Sequence, residues 1–318
     1  MIDPKKAILT QIAFLASHDG PGMRTTLFFK GCPLRCKWCH NPETIYPRQE
    51  LSWDQRKCIG CKTCLLQCPY EAVDFRLPHL IRKQNCVNCF DCVETCPSRA
   101  LQITGKVYDL EELEYQIIQE KQLLKSMGGG VTFSGGEPTL QTPFIVSLAQ
   151  KLKQEDIHLA LDTCGYTSWE NYQVLLPYMD LILYDLKEMD PVRHRNETGV
   201  DNHLIHENLL RMCQYIQEEH LPTRIWIRTP VIPEMTATLE NIQAIARFLS
   251  PISAFVDKWE LCAFNNLCRD KYHQLGTDWT LEHMPLLTQV QFKRLLDVAQ
   301  QSASALKQVV GSGLYQHD

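Results

Sequence analysis

Two stretches of this 318-residue chain are one phrase used twice. Residues 58–69 read CIGCKTCLLQCP and residues 86–97 read CVNCFDCVETCP, each a C-x2-C-x2-C-x3-C-P run. Cysteines this close compete with one another, so they make poor material for a disulfide framework, and their total of 15 is odd. The spacing suits metal or iron–sulfur ligation in a reducing compartment. Paired C-x2-C motifs also serve four-cysteine zinc sites, but the third cysteine two residues on and the repeated C-P favour clusters. Helical periodicity is missing from residues 52–101, which are predicted to form a small inserted domain.

Around that insert the pattern is different. AILTQIAFLA near the N-terminus and RTTLFFKGC read as strands, as do VTFSGG (131–136), IHLALDTCG (157–165), DLILYDLK (180–187), RIWIRTPVI (224–232) and KWELCAF (258–264). Amphipathic helical patterns lie between them. The first opens at Asp109 with Glu112 three residues on, a capping-box arrangement, and others cover 143–154, 202–220 and 238–249. Alternating strands and helices predict an α/β fold, a partial (β/α)6 barrel with the insert interrupting it. The expected division is 1–51, the N-terminal strand and first cysteine motif; 52–101, the insert; and 102–318, the rest of the barrel. A net charge of −5 disfavours nucleic acid as a partner, and no run reaches the roughly 18 apolar residues of a membrane helix. The expectation is a soluble, cytoplasmic monomer.

GCPLRCKWCH (31–40) is a second kind of cysteine motif, C-x3-C-x2-C. Three thiols, Cys32, Cys36 and Cys39, leave one iron of a [4Fe–4S] cube free for an outside ligand. A zinc knuckle borrowing His40 is the competing reading. SGGE (134–137) follows a strand, where glycines permit close backbone approach, and no GK[ST] makes it a P-loop. LDTCG and YDLK each end a strand on an aspartate.

The doubled run resembles that of bacterial two-cluster ferredoxins, in which the fourth cysteine of each run ligates the other run's cluster. That resemblance implies one cluster on Cys58, Cys61, Cys64 and Cys96 and another on Cys86, Cys89, Cys92 and Cys68. The C-x3-C-x2-C motif, with Trp38 before its last cysteine, resembles the signature of the radical S-adenosylmethionine (SAM) superfamily. DGPGMRTTLFFKGCPLRCKWCHNPE, SGGEP, LDTCGY and LYDLK in that order resemble the glycyl-radical enzyme activating enzymes, in their branch with two inserted ferredoxin-type clusters.

The resemblance implies reductive cleavage of SAM to methionine and a 5′-deoxyadenosyl radical, which abstracts a Cα hydrogen from a glycine in the C-terminal loop of a partner glycyl-radical enzyme. It implies three [4Fe–4S] clusters, SAM and a monovalent cation as cofactors, with flavodoxin or ferredoxin as electron donor. Cys32, Cys36 and Cys39 would carry the catalytic cluster, with Trp38 and His40 beside it. Gly135, Gly136 and Glu137 would hold the SAM amino end. Asp162, Thr163 and Asp185 would build the cation site, while Asp185, Leu186 and Lys187 line the SAM pocket with Arg228. Asn265 stands where the family often has a histidine near adenine, and Cys164 where founding members have asparagine. Asp19 and Gly20, in HDGPG, would meet the partner's peptide, unless DGPG is only a tight turn. Two other readings stay open: a radical SAM enzyme acting on a small molecule or peptide, and a non-catalytic electron carrier. The carrier would hold about eight irons instead of about twelve.

Overall fold

The computed structural model describes residues 3–316. In chain order, β1 (Lys6–Ala16) and β2 (Arg24–Phe29) form a hairpin. β3 (Glu50–Trp53), α1 (Thr63–Gln67), α2 (Asp91–Glu94) and β4 (Leu101–Thr104) make the insert, and β5 (Lys106–Asp109) returns to β1. The barrel continues through α3 (Leu110–Ser126), β6 (Gly130–Gly135), α4 (Thr142–Gln154), β7 (Leu159–Thr163), α5 (Trp169–Leu175) and β8 (Leu181–Asp185). It then runs through α6 (Pro191–Thr198), α7 (His203–Glu218), β9 (Arg224–Val231), α8 (Leu239–Leu249) and β10 (Val256–Ala263). The last elements are α9 (Arg269–Gln274), α10 (Gln289–Ser302) and β11 (Val309–Ser312).

One sheet of order β11-β10-β9-β8-β7-β6-β2-β1-β5 carries the fold. Its six central strands, β2 and β6 to β10, are parallel, which is the expected partial (β/α)6 barrel. β11 adds a seventh parallel strand at one edge, and β1 and β5 run antiparallel at the other. β5 and β11 escape sequence reading because KVYD and VVGS are short and offer no buried apolar run.

The two faces of the sheet differ. Ile225, Ile227 and Val231 of β9 join the main core beneath the helices. Trp226, alternating with them, packs on Ala160, Leu181 and Leu183 in a separate cluster, and Arg228 and Pro230 open onto a cavity. This period-two alternation is what a strand shows when one face meets helices and the other a barrel interior. Among the described residues no helix is long and apolar enough to cross a membrane.

The capping box expected at Asp109 does not form. Asp109 is the last residue of β5, and its carboxylate reaches its strand partner Lys6 at 3.7 Å, while Glu112 pairs with Lys106 at 3.3 Å. A complete capping box occurs instead on α10, between Thr288 and Gln291.

The insert is closed by the antiparallel β3–β4 pair, Glu50 opposite Thr104 and Trp53 opposite Leu101. Its small core consists of Trp53, Val73, Leu80, Ala100 and Leu101 with the cysteines Cys64 and Cys92. It meets the barrel through the segment around α9: Arg56 reaches Asp270 at 2.8 Å, Lys83 donates to Thr277 at 2.8 Å, and His79 meets Asp278 at 3.4 Å.

Arg24 fastens the base of the barrel. It is fully buried, donates to Thr132 Oγ1 at 2.6 Å and the Val131 carbonyl at 2.7 Å, and reaches the Pro21 carbonyl at 3.2 Å. Arg24→Met would strand these acceptors in an apolar setting, at a cost of about 3 kcal/mol. Urea unfolding of the variant against the wild type measures it; an unchanged midpoint would show that the guanidinium is dispensable.

Candidate active site and cluster cavities

The C-terminal ends of the six central strands open onto one cavity. The loop after β2 brings Cys32, Cys36, Trp38, Cys39 and His40 to it. Hydrogen bonds fix this loop along its length. Cys32 N–H donates to the Ile45 carbonyl at 2.9 Å, and Lys37 N–H to the Glu197 carbonyl at 3.0 Å. The α9 segment grips the other side. Tyr272 O–H donates to the Cys39 carbonyl at 2.9 Å, Trp279 Nε1–H to the Lys37 carbonyl at 2.7 Å, and His40 Nε2 to the Asn265 carbonyl at 2.9 Å. Tyr272 and Trp279 are stacked at 4.8 Å, and Trp38 packs into the same cluster with Phe264. Burial pushes the Cys36 thiol up to about 12 and the Cys39 thiol higher, so thiolates there would need a bound metal to form.

Gly135 and Gly136 line the cavity at the end of β6. A Cβ at Gly136 would sit 2.2 Å from the Gly31 carbonyl oxygen, and one at Gly135 2.3 Å from Phe29 N. Glycine is therefore demanded by the chain's own cysteine loop, whose backbone packs directly on the turn. Glu137, next in line, points away from the cavity. Its buried carboxylate accepts from Thr139 Oγ1 at 2.7 Å, Thr163 Oγ1 at 2.9 Å and Cys164 N–H at 2.7 Å. Burial raises its pKa in spite of these donors.

The opposite wall is charged. Asp162 accepts from Ser134 Oγ at 2.7 Å and lies 3.4 Å from Arg228 Nη1; Asp185 pairs with Lys187 Nζ at 2.6 Å. Burial lifts Asp162 to about 6, with Arg228 opposing the rise and Asp185 and Asp19 adding to it. Burial works against the Lys187 ammonium, but Asp185 and Cys36 more than offset it, and its pKa is raised.

The insert holds two smaller cavities. One is lined by Cys58, Cys61, Cys64 and Cys96, and the other by Cys68, Cys86, Cys89 and Cys92. In each, three cysteines come from one run and the fourth from the other. Among the described residues no three histidine, cysteine or carboxylate groups converge as a single ion requires. Four thiols around a cavity fit a cube of iron and sulfide.

Residues 83–249 match the radical SAM superfamily, residues 50–105 a 4Fe-4S dicluster domain, and residues 18–70 a 4Fe-4S single cluster domain. The chain is 37% identical over 284 residues to the (2S)-3-sulfopropanediol dehydratase activating enzyme of Klebsiella oxytoca, covering 87% of this chain and 88% of that one. It is also 37% identical over 262 residues to the trans-4-hydroxy-L-proline dehydratase activating enzyme of Clostridioides difficile, covering 81% and 84%. The chain belongs to the glycyl-radical enzyme activating enzymes of the radical SAM superfamily. In fold it is similar to Streptococcus suis SuiB bound to precursor peptide SuiA, with a TM-score of 0.50 and 13% identity over 89% of this chain and 46% of that one. The radical SAM and ferredoxin-type domains call for SAM and several [4Fe–4S] clusters as cofactors.

For this activating-enzyme family member, the cavity assembles most of the site residues expected from sequence: Cys32, Cys36, Trp38, Cys39, His40, Gly135, Gly136, Asp162, Thr163, Asp185, Lys187 and Arg228. Three of the expected SAM-site residues do not line it. Glu137 braces the wall from behind. Leu186 is buried in the main core, because the residue after Asp185 faces the helices. Asn265 turns its side chain onto Leu267 N–H at 3.2 Å and meets His40 only through its carbonyl. The Thr163 hydroxyl also faces inward, to Glu137 and Tyr172. Asp19 accepts from Thr26 Oγ1 at 2.8 Å, and Gly20 packs over the Arg24 side chain. Sequence reasoning gave no site role to Cys164, Cys262 or Phe264, which line the cavity, and missed the Tyr272–Trp279 grip. Strand-end position was the available signal for the first three; α9 and its flanks carried none.

The Asp162 carboxyl has its folded pKa above the ordinary value of about 3.9. The folded state therefore holds the extra proton between pH 4 and 6, and stability falls as pH rises through that window. Asp162→Asn removes this component, at most about 1.4 kcal/mol per pH unit. Urea unfolding of the metal-free chain at several pH values is expected to show a shallower decline from pH 4 to 6 in the variant; equal slopes would refute the assignment.

Proposed function

We propose that this protein activates a glycyl-radical enzyme, with the cluster of the Cys32, Cys36 and Cys39 loop as its catalytic centre. When bound there, SAM reduced by one electron supplies methionine and a 5′-deoxyadenosyl radical that takes a Cα hydrogen from a glycine of the partner. The observation that carries this reading is the junction of a three-thiol loop with six strand ends around one open cavity. Each element has a task in it. Clamping of the loop by Tyr272 and Trp279 holds the thiols in place. An ammonium group needs acceptors, so the carbonyl oxygens of Gly135 and Gly136 serve the SAM amino end. Arg228 and Lys187 offset the negative charge that Asp162 and Asp185 place beside a bound carboxylate. A monovalent cation between the two aspartates does the same work; Thr163 would join it through its main-chain carbonyl, since its hydroxyl is engaged.

The insert is read as two [4Fe–4S] sites with exchanged fourth ligands, Cys96 completing the set of Cys58, Cys61 and Cys64, and Cys68 that of Cys86, Cys89 and Cys92. Flavodoxin or ferredoxin is the class of donor that supplies its electrons, and a cytoplasmic monomer is the working form.

The reading is tested by electron paramagnetic resonance on the anaerobically reconstituted, reduced chain mixed with SAM and a candidate glycyl-radical enzyme, with 5′-deoxyadenosine assayed in parallel. A glycine-centred doublet with deoxyadenosine is expected. A full iron complement with neither product would reject it. Asp19→Ala should lower partner activation and spare uncoupled SAM cleavage; equal loss of both would place Asp19 in the fold alone, through Thr26. Cys96→Ser should lower iron from about twelve to about eight per chain while leaving the SAM-responsive signal. Loss of that signal as well would show that the insert and barrel sites do not load independently.

A further inference from the structure

Trp53, at the end of β3, lies between two compartments. It lines the cavity ringed by Cys58, Cys61, Cys64 and Cys96, and also the groove where the insert meets Asp270 and His273 of the α9 segment. The residue is 9% exposed, and its Nε1–H has no hydrogen-bond partner among the described residues. A buried N–H left in that state costs about 1–3 kcal/mol. Other buried indoles of this chain avoid the cost: Trp259 Nε1–H donates to Thr229 Oγ1 at 2.9 Å and Trp279 Nε1–H to the Lys37 carbonyl at 2.7 Å. On the cavity side Trp53 is flanked by Phe75, Leu80 and Leu101, and on the groove side by Asp54, Gln55 and His79, none of which accepts its N–H. A sulfur held by the four thiols of that cavity would supply the acceptor it lacks. The twin cavity takes Leu51, two residues earlier on the same face of β3, which donates nothing.

We propose that Trp53 donates its Nε1–H to a sulfur of the cluster held by Cys58, Cys61, Cys64 and Cys96, and that this raises the cluster's reduction potential above that of its twin. The proposal rests on reading the insert as a two-cluster domain. Reduction adds one negative charge, shared onto the sulfurs, and a donor there favours the reduced form. One electron, supplied by a low-potential one-electron donor, then settles on the Trp53 cluster: the twin is oxidised, this cluster is reduced, and no proton moves. The preferred resting place is the one beside α9, whose Tyr272 is bonded to the Cys39 carbonyl. The two halves of a repeated sequence are thereby given a direction.

The test is a potentiometric titration of the reconstituted full-length chain, followed by electron paramagnetic resonance. The wild type and Trp53→Phe, which keeps an aromatic ring without the donor, are compared, and Cys96→Ser identifies the midpoint that belongs to the Trp53 cluster. Trp53→Phe is expected to lower that midpoint alone, with iron content unchanged. Two unmoved midpoints in an iron-replete variant would overturn the proposal. A second measurement needs no variant: electron–nuclear double resonance on the reduced wild type carrying ¹⁵N-indole tryptophan should show nitrogen coupling to that cluster. Its absence counts against the hydrogen bond even if the variant loses iron. A wild type that binds only about four irons would overturn the two-cluster reading itself, a result distinct from unmoved midpoints.

Discussion

A carboxylate cut off from solvent holds the mouth of this barrel in register. Glu137 gathers donors from the turn after β6 and from the end of β7, and its own N–H donates to the Gly31 carbonyl at 2.7 Å, at the root of the cysteine loop. Three consecutive strands in the sheet order, β2, β6 and β7, are thus tied at the ends that carry chemistry. Its pKa stays raised although it is well supplied with donors, because full burial outweighs them. An alanine there would leave several buried donors with nothing to bond, so the residue's value is architectural before it is chemical. The charged wall opposite follows from the same geometry. With β7 fixed, Asp162 falls between Ser134 and Arg228, and Asp185 one strand over takes Lys187.

How far the sequence could be read depended on how local the signal was. The six parallel strands were legible because buried strands write continuous apolar runs, and both cysteine patterns because cluster ligands sit at fixed spacing. The division of the fourth ligands between the two runs was implied by resemblance, and the cavity linings have that arrangement. SGGE was harder. Its glycines suggested close approach of a ligand, yet backbone-to-backbone packing against Phe29 and Gly31 accounts for both of them. A motif records that space is short, not what fills it. The grip of Tyr272 and Trp279 on the cysteine loop joins residues more than 230 positions apart through irregular chain, and no periodicity marks such a contact. The Asp109 cap failed for a related reason, since a strand neighbour competed for the carboxylate.

The insert has a different kind of stability from the barrel. Its core counts cysteines among its main buried side chains, with few aliphatic residues to replace them. A segment of this size buries little apolar surface of its own. Cluster loading therefore adds to the folding free energy of the insert, as in other small metal-organised domains. The barrel, with a continuous core beneath α3 to α8, does not share that dependence.

The β3–β4 pair has a further consequence. The insert leaves the barrel after β2 and returns before β6, and these two strands are hydrogen-bonded neighbours in the sheet. Because β3 and β4 zip together at the point of departure, the ends of the excursion are already close, and its length hardly affects the strands it separates. In evolutionary terms the segment is a cassette on a stem. It can lengthen, shorten or exchange its contents without re-registering the barrel, so a lineage can refit the segment while the radical-forming core is left alone.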